Sequence, residues 1–531
     1  MSRNILKVTT LAAMVAASFS ANAALYNVYQ SAPEGASTDL QTYGVAISPE
    51  TSVCWNNVCN ENTSVMATEV KRYREGFQYR DEAPFFSPFG WSYLDDNWEG
   101  FRSYCYRFLG YSDTLCERWA TQQYTNGYAN EQSGNYAGSI AYLDGVSLYS
   151  ENTVVNSIDS GLATGNRTIG GTPRNVAFTS SDGSTVSDLP LTDTASTTYA
   201  ESHAWKTLYD GVNYYTVGSV TRTNNHSSSD NDSKAAVWIN GILQQPISWF
   251  GGANNGDRRA HASARDIIKD GANLYAVGYN SDNDIRFKAT VFKSTDSGVN
   301  WTPVQVNNFP YDSERYLNQT LKAVNDNKIA IGTAKLDEPL NGAYSNTLFY
   351  VNDLDSPSYK AFSGSIFFSG ANGKAGSINN HNDVVGTIDY DQHPETNGKP
   401  RGQRAFITNL GVTSGSAPIG GQARYLDDLT YGSGASSDNN QYRIVQAADI
   451  NDAGVIAASA YYCAGGFESE AIDAKCSAGA SLVGVKLVPI NGQDVGDITV
   501  RPIEQSTVER QGGTLGFLAL TLLGLLGFRR K

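Results

Sequence analysis

Histidine, cationic charge, helical periodicity and long apolar runs are all scarce in this chain, and each shortage closes off a class of function. Five histidines occur, His203, His226, His261, His381 and His393, and they are scattered. No H-E-x-x-H, G-x-S-x-G or phosphate-loop pattern accompanies them, so the common zinc-protease, serine-hydrolase and nucleotide signatures are missing. Lys and Arg number 39 against 53 Asp and Glu, a formal charge of −14. Phosphate binding needs basic patches, so a nucleic-acid partner is excluded and an acidic, solubilising exterior is expected instead. No C-x-x-C pair or neighbouring histidine supports a zinc site. The longest apolar run, Leu515–Phe528, is shorter than the roughly 17 residues a full membrane span requires.

What is abundant is turn and strand chemistry. Glycine numbers 51 and tyrosine 31, and 40% of the residues are apolar, enough for a real core. With many Asn, Asp and Ser, this composition suits an all-β chain with numerous turns. The six cysteines fall in three close pairs: Cys54 and Cys59, Cys105 and Cys116, Cys463 and Cys476. An even count behind an export signal predicts three local disulfides in an oxidising compartment, although sequence leaves the connectivity open.

One phrase organises the chain. Leu321–Ala334 reads LKAVNDNKIAIGTA: a polar turn, an apolar run, and Gly332 near its end. Copies occur at Ala204–Val220, Ala264–Asn280, Ala375–Ile388 and Ala448–Ala460. The first two align without gaps. Gly218, Gly278, Gly332 and Gly386 recur at nearly even spacing, and the last copy has Ala458 there. Each copy is followed by a strand carrying an apolar or aromatic centre, such as Thr347–Tyr350 or Arg404–Ile407. Asp or Asn with Gly supplies left-handed turn conformations, and glycine in a strand permits close backbone approach. One unit cannot bury both faces, so copies must stack. Several strands per period of this length predict a β-propeller of six to seven blades, with the repeated run as the inner strand of each blade.

The expected layout is a signal peptide over 1–23, first strands over 24–70, an insertion over 71–137, propeller repeats over 138–505 and a sorting tail over 506–531. The insertion is dense in aromatics, among them Phe77, Phe89, Trp91, Trp98, Phe101, Tyr104, Phe108 and Trp119. It is expected to be partly helical over 95–123, with Cys105 and Cys116 stapling it. Its rings could form a ligand platform; an irregular small core is the preferred reading.

Two further motifs carry resemblances. Ser294, Asp296, Gly298 and Trp301 fit S-x-D-x-G-x-x-W and resemble an Asp box, which in sialidases and other propellers is a structural hairpin turn. Ile378-Asn379 through Gly386, with Arg404-Ala405-Phe406, resembles the HAF-type extracellular repeats, with one residue fewer between its two parts.

The ends read as addresses. Met1–Ala23 has a basic start, an apolar centre and a small-residue end, which predicts a signal peptide cut between Ala23 and Ala24 by signal peptidase. At the other end Gly512-Gly513 precedes the short apolar run and Arg529-Arg530-Lys531. That tail resembles the GlyGly C-terminal sorting tail of Gram-negative bacteria. The resemblance implies cleavage by a rhombosortase-type protease after transient inner-membrane anchoring, then type II secretion to the cell surface or medium. A simple permanent anchor is the competing reading. The whole layout resembles an uncharacterised family of exported Gram-negative proteins, which implies location and fold but no activity.

No catalytic, cofactor or metal residues can be assigned. Asp230-Asn231-Asp232 and Asp282-Asn283-Asp284 offer calcium oxygens but fall short of a calcium loop, and Asp389–His393 reads as a solvated loop rather than a metal site. A glycosidase needs two placed carboxylates, and a sialidase an arginine cluster as well. The expectation is an exported binding or envelope protein with a glycan or surface-protein ligand. The alternatives are a secreted glycan-active hydrolase on the same fold and a membrane-anchored structural protein.

Overall fold

The computed structural model describes residues 24–33, 41–71, 97–134, 139–148, 153–167, 175–223, 231–251, 253, 260–282, 286–411, 419–432 and 437–504. The signal peptide, the tail with Gly512 and Gly513, and the aromatics from Phe77 to Tyr93 lie outside these residues, as does Ala23. Among the described residues, no helix is long and apolar enough to cross a membrane.

The described strands form seven four-stranded antiparallel blades. Their first strands are Gln41–Ile47, Thr153–Asp159, Glu201–Tyr209, Ser263–Asp270, Tyr316–Val324, Gly373–Ile378 and Tyr442–Ile450, here blades 1 to 7. Each first strand touches that of the next blade, and blade 7 touches blade 1, so the ring is closed. The outer strand of blade 7 is the N-terminal segment Tyr26–Gln30, paired antiparallel with Ser481–Pro489 from Tyr26 opposite Pro489 to Gln30 opposite Val485. The fold is therefore the expected all-β propeller, with seven blades.

All seven first strands carry a β-bulge at the same register. In blades 3 to 6 it falls after Ala204, Ala264, Leu321 and Ala375, whose partners are Gly218, Gly278, Gly332 and Gly386. The repeated glycine follows from this bulge. A Cβ on Gly332 would lie 2.0 Å from the carbonyl of Thr320 and 3.0 Å from the Phe349 ring, so no side chain fits. Blade 7 has Ala458 at this register, and the relief is moved to its neighbour: a Cβ on Gly44 of blade 1 would lie 2.4 Å from the Ala458 carbonyl.

One detail differs from the sequence expectation. The apolar run after the polar turn is the second strand of its blade, Ala330–Leu336 in blade 5, not the innermost. The innermost strand precedes the turn, where its bulge and mixed composition hide it from an alternation test. Phe178, Phe292, Phe349, Phe406 and Trp238 of the third strands are fully buried between blades. Burial of such rings at about 2–3 kcal/mol each dominates the inter-blade cohesion.

The three expected disulfides are all formed: Cys54–Cys59, Cys105–Cys116 and Cys463–Cys476. The insertion leaves blade 1 between its second and third strands, Met66–Lys71 and Ser139–Leu143. Its described part is helical, over Asn97–Tyr104, Cys105–Leu109, Asp113–Ala120 and Thr121–Tyr128. Phe101, Tyr104, Phe108 and Trp119 form its own small core around the disulfide.

Candidate functional site

The axis and the loops of either face are the places where a closed ring of blades can present side chains to a ligand. The bulge turns one residue of each first strand toward the axis. In blades 2 to 5 these residues are Asn156, Trp205, Arg265 and Lys322. The Arg265 guanidinium lies 3.8 Å from the centre of the Trp205 ring, and Lys322, two blades away from Trp205, reaches it at 5.1 Å. Asn156 donates to the carbonyl of Ala204 at 2.6 Å. Trp205 and Arg265 are only 6% and 7% exposed, so this level of the axis is filled by stacked side chains.

The next residue along each strand forms a second level. Lys206 pairs with Asp159 at 2.8 Å. Burial opposes its charge, but Asp159, Asp266 and Asp449 outweigh that and hold the ammonium firmly protonated. Burial pushes Asp266 up to about 6, against the pull of Lys206 and two amides. The amides are those of Ile267 at 2.8 Å and Val324 of the next blade at 2.9 Å. Asp449 does the same between blades 7 and 1, accepting from Ile450 and Ile47, both at 3.0 Å. These carboxylates are inter-blade ties.

The polar turns are ties of a second kind. Asn325, Asn379 and Asn451, at the same place in blades 5, 6 and 7, are all buried. Each accepts an amide of its own turn through Oδ1, from Ile329, Asp383 and Val455 respectively. Each donates through Nδ2 to a carbonyl of the following blade: Asn325 to Asn379 at 2.9 Å, Asn379 to Asn451 at 3.1 Å, and Asn451 to Ser48 at 2.9 Å. The left-handed residue that closes each turn is Lys328, Asn382 or Gly454. Blades 2 to 4 use charge instead, with Asp159, Asp210 and Asp270 held by Lys206, Lys269 and Lys328 of the next blade.

A cluster of Arg404, Arg443 and Arg501 lies between blades 6 and 7. It has the composition a carboxylate-binding site would need, yet its donors are engaged by the chain itself. Arg404 donates to the carbonyls of Ile472 and Gln403 and faces Asp427. Arg443 donates to Ala471, Asn440, Tyr442 and Ser469. Arg501 donates to Asp427, Glu470 and Asn440. Together they pin the Cys463–Cys476 loop and the C-terminal segment to the ring.

The opposite face from the polar turns carries the insertion. Its turn docks on the loops between second and third strands of blades 5 and 6, far around the ring from blade 1. Ser112 donates to Gly398, Asn397 to Gly110, and Gly110, at φ 75°, lies under the Tyr344 ring. The insertion thus crosses from blade 1 to the blade 5–6 side. Beyond its docked turn, Trp98, Glu117, Arg118, Thr121 and Gln122 line an open pocket of about 560 Å³.

The remaining sequence candidates are placed as follows. In the Ser294–Trp301 turn, Ser294 donates to Asp296, Asp296 accepts the Asn300 amide, and the Trp301 indole donates to Gly298. Turn amides and the Asn300 side chain hold Asp296 down to about 2. Ala24 is buried just ahead of the closing strand. His203 and His261 are buried far from His393, which pairs with Asp391 at 2.6 Å. Asp389 corrects the solvated-loop reading of Asp389–His393: it is fully buried against Arg401, and burial raises it to about 7. Of the two Asp-Asn-Asp runs, Asp232 pairs with Arg222 and Asp282 with Lys288, while Asp230, Asn283 and Asp284 lie outside the described residues. Among the described residues, no three His, Cys, Asp or Glu are grouped to hold a metal. The axial residues escaped the sequence reading, yet their signal was present: they are the second and third letters of AWK, ARD and LKA, where aligned copies change charge.

Several solved structures are similar at low identity. A protein of unknown function from Dyadobacter fermentans DSM 18053 shares 10% identity at a TM-score of 0.38, over 87% of this chain and 99% of that one. An α-L-arabinofuranosidase from Fusarium graminearum shares 10% at 0.35, over 62% and 89%. A Trypanosoma rangeli sialidase shares 13% at 0.32, over 63% and 54%. Among curated proteins nothing matches the chain. The sequence profile of a family described as protein of unknown function (DUF3466) matches residues 230–531, more than half of the chain.

Proposed function

We propose, for a chain that belongs to this family of unknown function, DUF3466, the role of an exported, surface-directed propeller that binds a ligand rather than transforming one. The observation that carries the reading is the engagement of its charged groups. Asp266 and Asp449 each accept amides from two blades, Asp159 is locked to Lys206, and Arg404, Arg443 and Arg501 donate to backbone carbonyls. Glycoside hydrolysis needs a pair of carboxylates about 5–10 Å apart that can exchange protons with a sugar between them. Carboxylates tied into the ring cannot do so without loosening it.

Export rests on the sequence at Met1–Ala23 and Gln511–Lys531, and the three disulfides fit an oxidising compartment. Two experiments test the proposal. The purified exported chain, assayed on fluorogenic glycosides and sialyllactose, should show no turnover above buffer; turnover abolished by Asp266→Asn would overturn the binding role. Mass spectrometry of the mature chain should find its end near Gly512-Gly513, and a product that retains Leu515–Lys531 would sink the sorting proposal.

A further inference from the structure

We infer that the pocket on the insertion is a saccharide-binding site, with Trp98 as its platform. The inference rests on the binding role proposed above and assigns it a place and a ligand class. The pocket lies at the far end of the helical pair from the turn that docks on blades 5 and 6. From Ser112 to Thr121 the helix advances about 13 Å, which carries the pocket away from the docked contact.

Four features give it the chemistry of sugar recognition. The indole Nε1–H of Trp98 donates to Thr121 Oγ1 at 3.0 Å, and Thr121 donates in turn to the Glu117 carbonyl at 2.8 Å, so the ring is held in one orientation before any ligand arrives. An oriented indole face takes the C–H face of a pyranose with little entropy loss. Glu117 and Arg118 are exposed at the rim and form no ion pair among the described residues. A carboxylate and a planar guanidinium side by side accept from and donate to vicinal hydroxyls. Gln122 Oε1 is buried and has no hydrogen-bond partner, although nearly all buried polar atoms have one. A half-buried amide that can turn into the pocket would accept a sugar hydroxyl there. The mixed rim charge fits a neutral saccharide better than an anionic one.

The aromatic density of residues 71–137 thus divides. Phe101, Tyr104, Phe108 and Trp119 build the small core, and Trp98 packs against it, is only partly buried, and lines the pocket.

The test is saturation-transfer NMR and calorimetry on the full exported chain, with hexasaccharides of β-1,4-glucose, α-1,4-glucose, β-1,4-N-acetylglucosamine and β-1,4-xylose as probes. At least one should bind with Kd below about 1 mM. Trp98→Ala and Arg118→Ala should each weaken it at least tenfold, and Gln122→Ala at least threefold. Arg118 and Glu117 make no core contact, so Arg118→Ala and Glu117→Gln should leave thermal unfolding unchanged, which guards against a folding artefact at Trp98. Binding that persists unchanged in Trp98→Ala, Arg118→Ala and Gln122→Ala would overturn this site while leaving the binding role standing. Absence of binding to all four probes would overturn the saccharide assignment. Cleavage of a probe would instead overturn the binding role.

Discussion

Replacing Asn379 by alanine puts the inter-blade ties to a quantitative test. The side chain is 4% exposed. Its Oδ1 accepts the amides of Asp383 at 2.9 Å and His381 at 3.0 Å, and its Nδ2 donates to the Asn451 carbonyl of the next blade at 3.1 Å. Alanine removes these bonds, together with a longer one from Nδ2 to Asp383 Oδ2 at 3.4 Å, and leaves the partners buried. An orphaned buried group costs about 1–3 kcal/mol, and the half-buried His381 amide can recover water, so the loss should be about 3–5 kcal/mol. Asn379→Asp separates the parts. It keeps the acceptor but loses the donor, and it sets a second carboxylate beside Asp383, whose own acid is already raised by burial. Its cost should therefore match or exceed that of alanine at pH 8 and shrink at pH 5. Asn380→Ala is the control: that exposed side chain bridges Asp326 and Asp452 at 3.0 Å, and its loss should cost at most about 1 kcal/mol. Equilibrium urea unfolding at the two pH values gives the three differences. An Asn379→Ala value within about 0.5 kcal/mol of Asn380→Ala would refute the idea that the repeated asparagine ties the ring.

Three further outcomes are expected. Asp266 and Asp389 have folded acidities of about 6 and 7 because burial disfavours their charge, so between pH 4 and those values the folded state holds protons the unfolded chain has released. Stability should then fall as pH rises through 4–7, by about 3 kcal/mol for Asp266 and about 4 kcal/mol for Asp389, and thermal midpoints that rise from pH 5 to 7 would contradict this. Gly332→Ala should cost at least about 3 kcal/mol by calorimetry, because its Cβ would meet the Thr320 carbonyl, whereas Gly211→Ala, with nothing within 4 Å, should show only the cost of its left-handed φ of 94°. Removing the Cys105–Cys116 bridge should raise amide exchange across 97–134 while leaving the third strands of blades 4 to 6 protected, since the helical core closes on itself.

The sequence disclosed some of this and hid the rest for physical reasons. Blades 3 to 7 were legible because their turn and glycine positions repeat. Blade 2 has the same glycine, Gly165, but lies in a stretch of small polar residues that mask its strands. Blade 1 was invisible as a copy: Thr68 stands where the glycine should be, a disulfide loop replaces the tight turn, and the insertion splits its strands. The close cysteine pairs foretold the bridges because short loops leave few partners. The axial stack of Trp205, Arg265 and Lys322 was not foreseen, because it depends on bulges whose positions are a property of pairing and not of composition. The arginine cluster was hidden too, since its members come from three separate segments.

The closing strand has a consequence for how the chain becomes a ring. Tyr26–Gln30 opens the described chain and pairs with Ser481–Pro489, which lies near its other end. Until both are in place, the edge of blade 7 presents unpaired amides, the kind of edge that recruits other chains. Joining segments so far apart also makes this contact the slowest entropically to form. A chain cut short before blade 7 therefore cannot be a smaller stable ring, because Tyr26–Gln30 then has no strand on which to close.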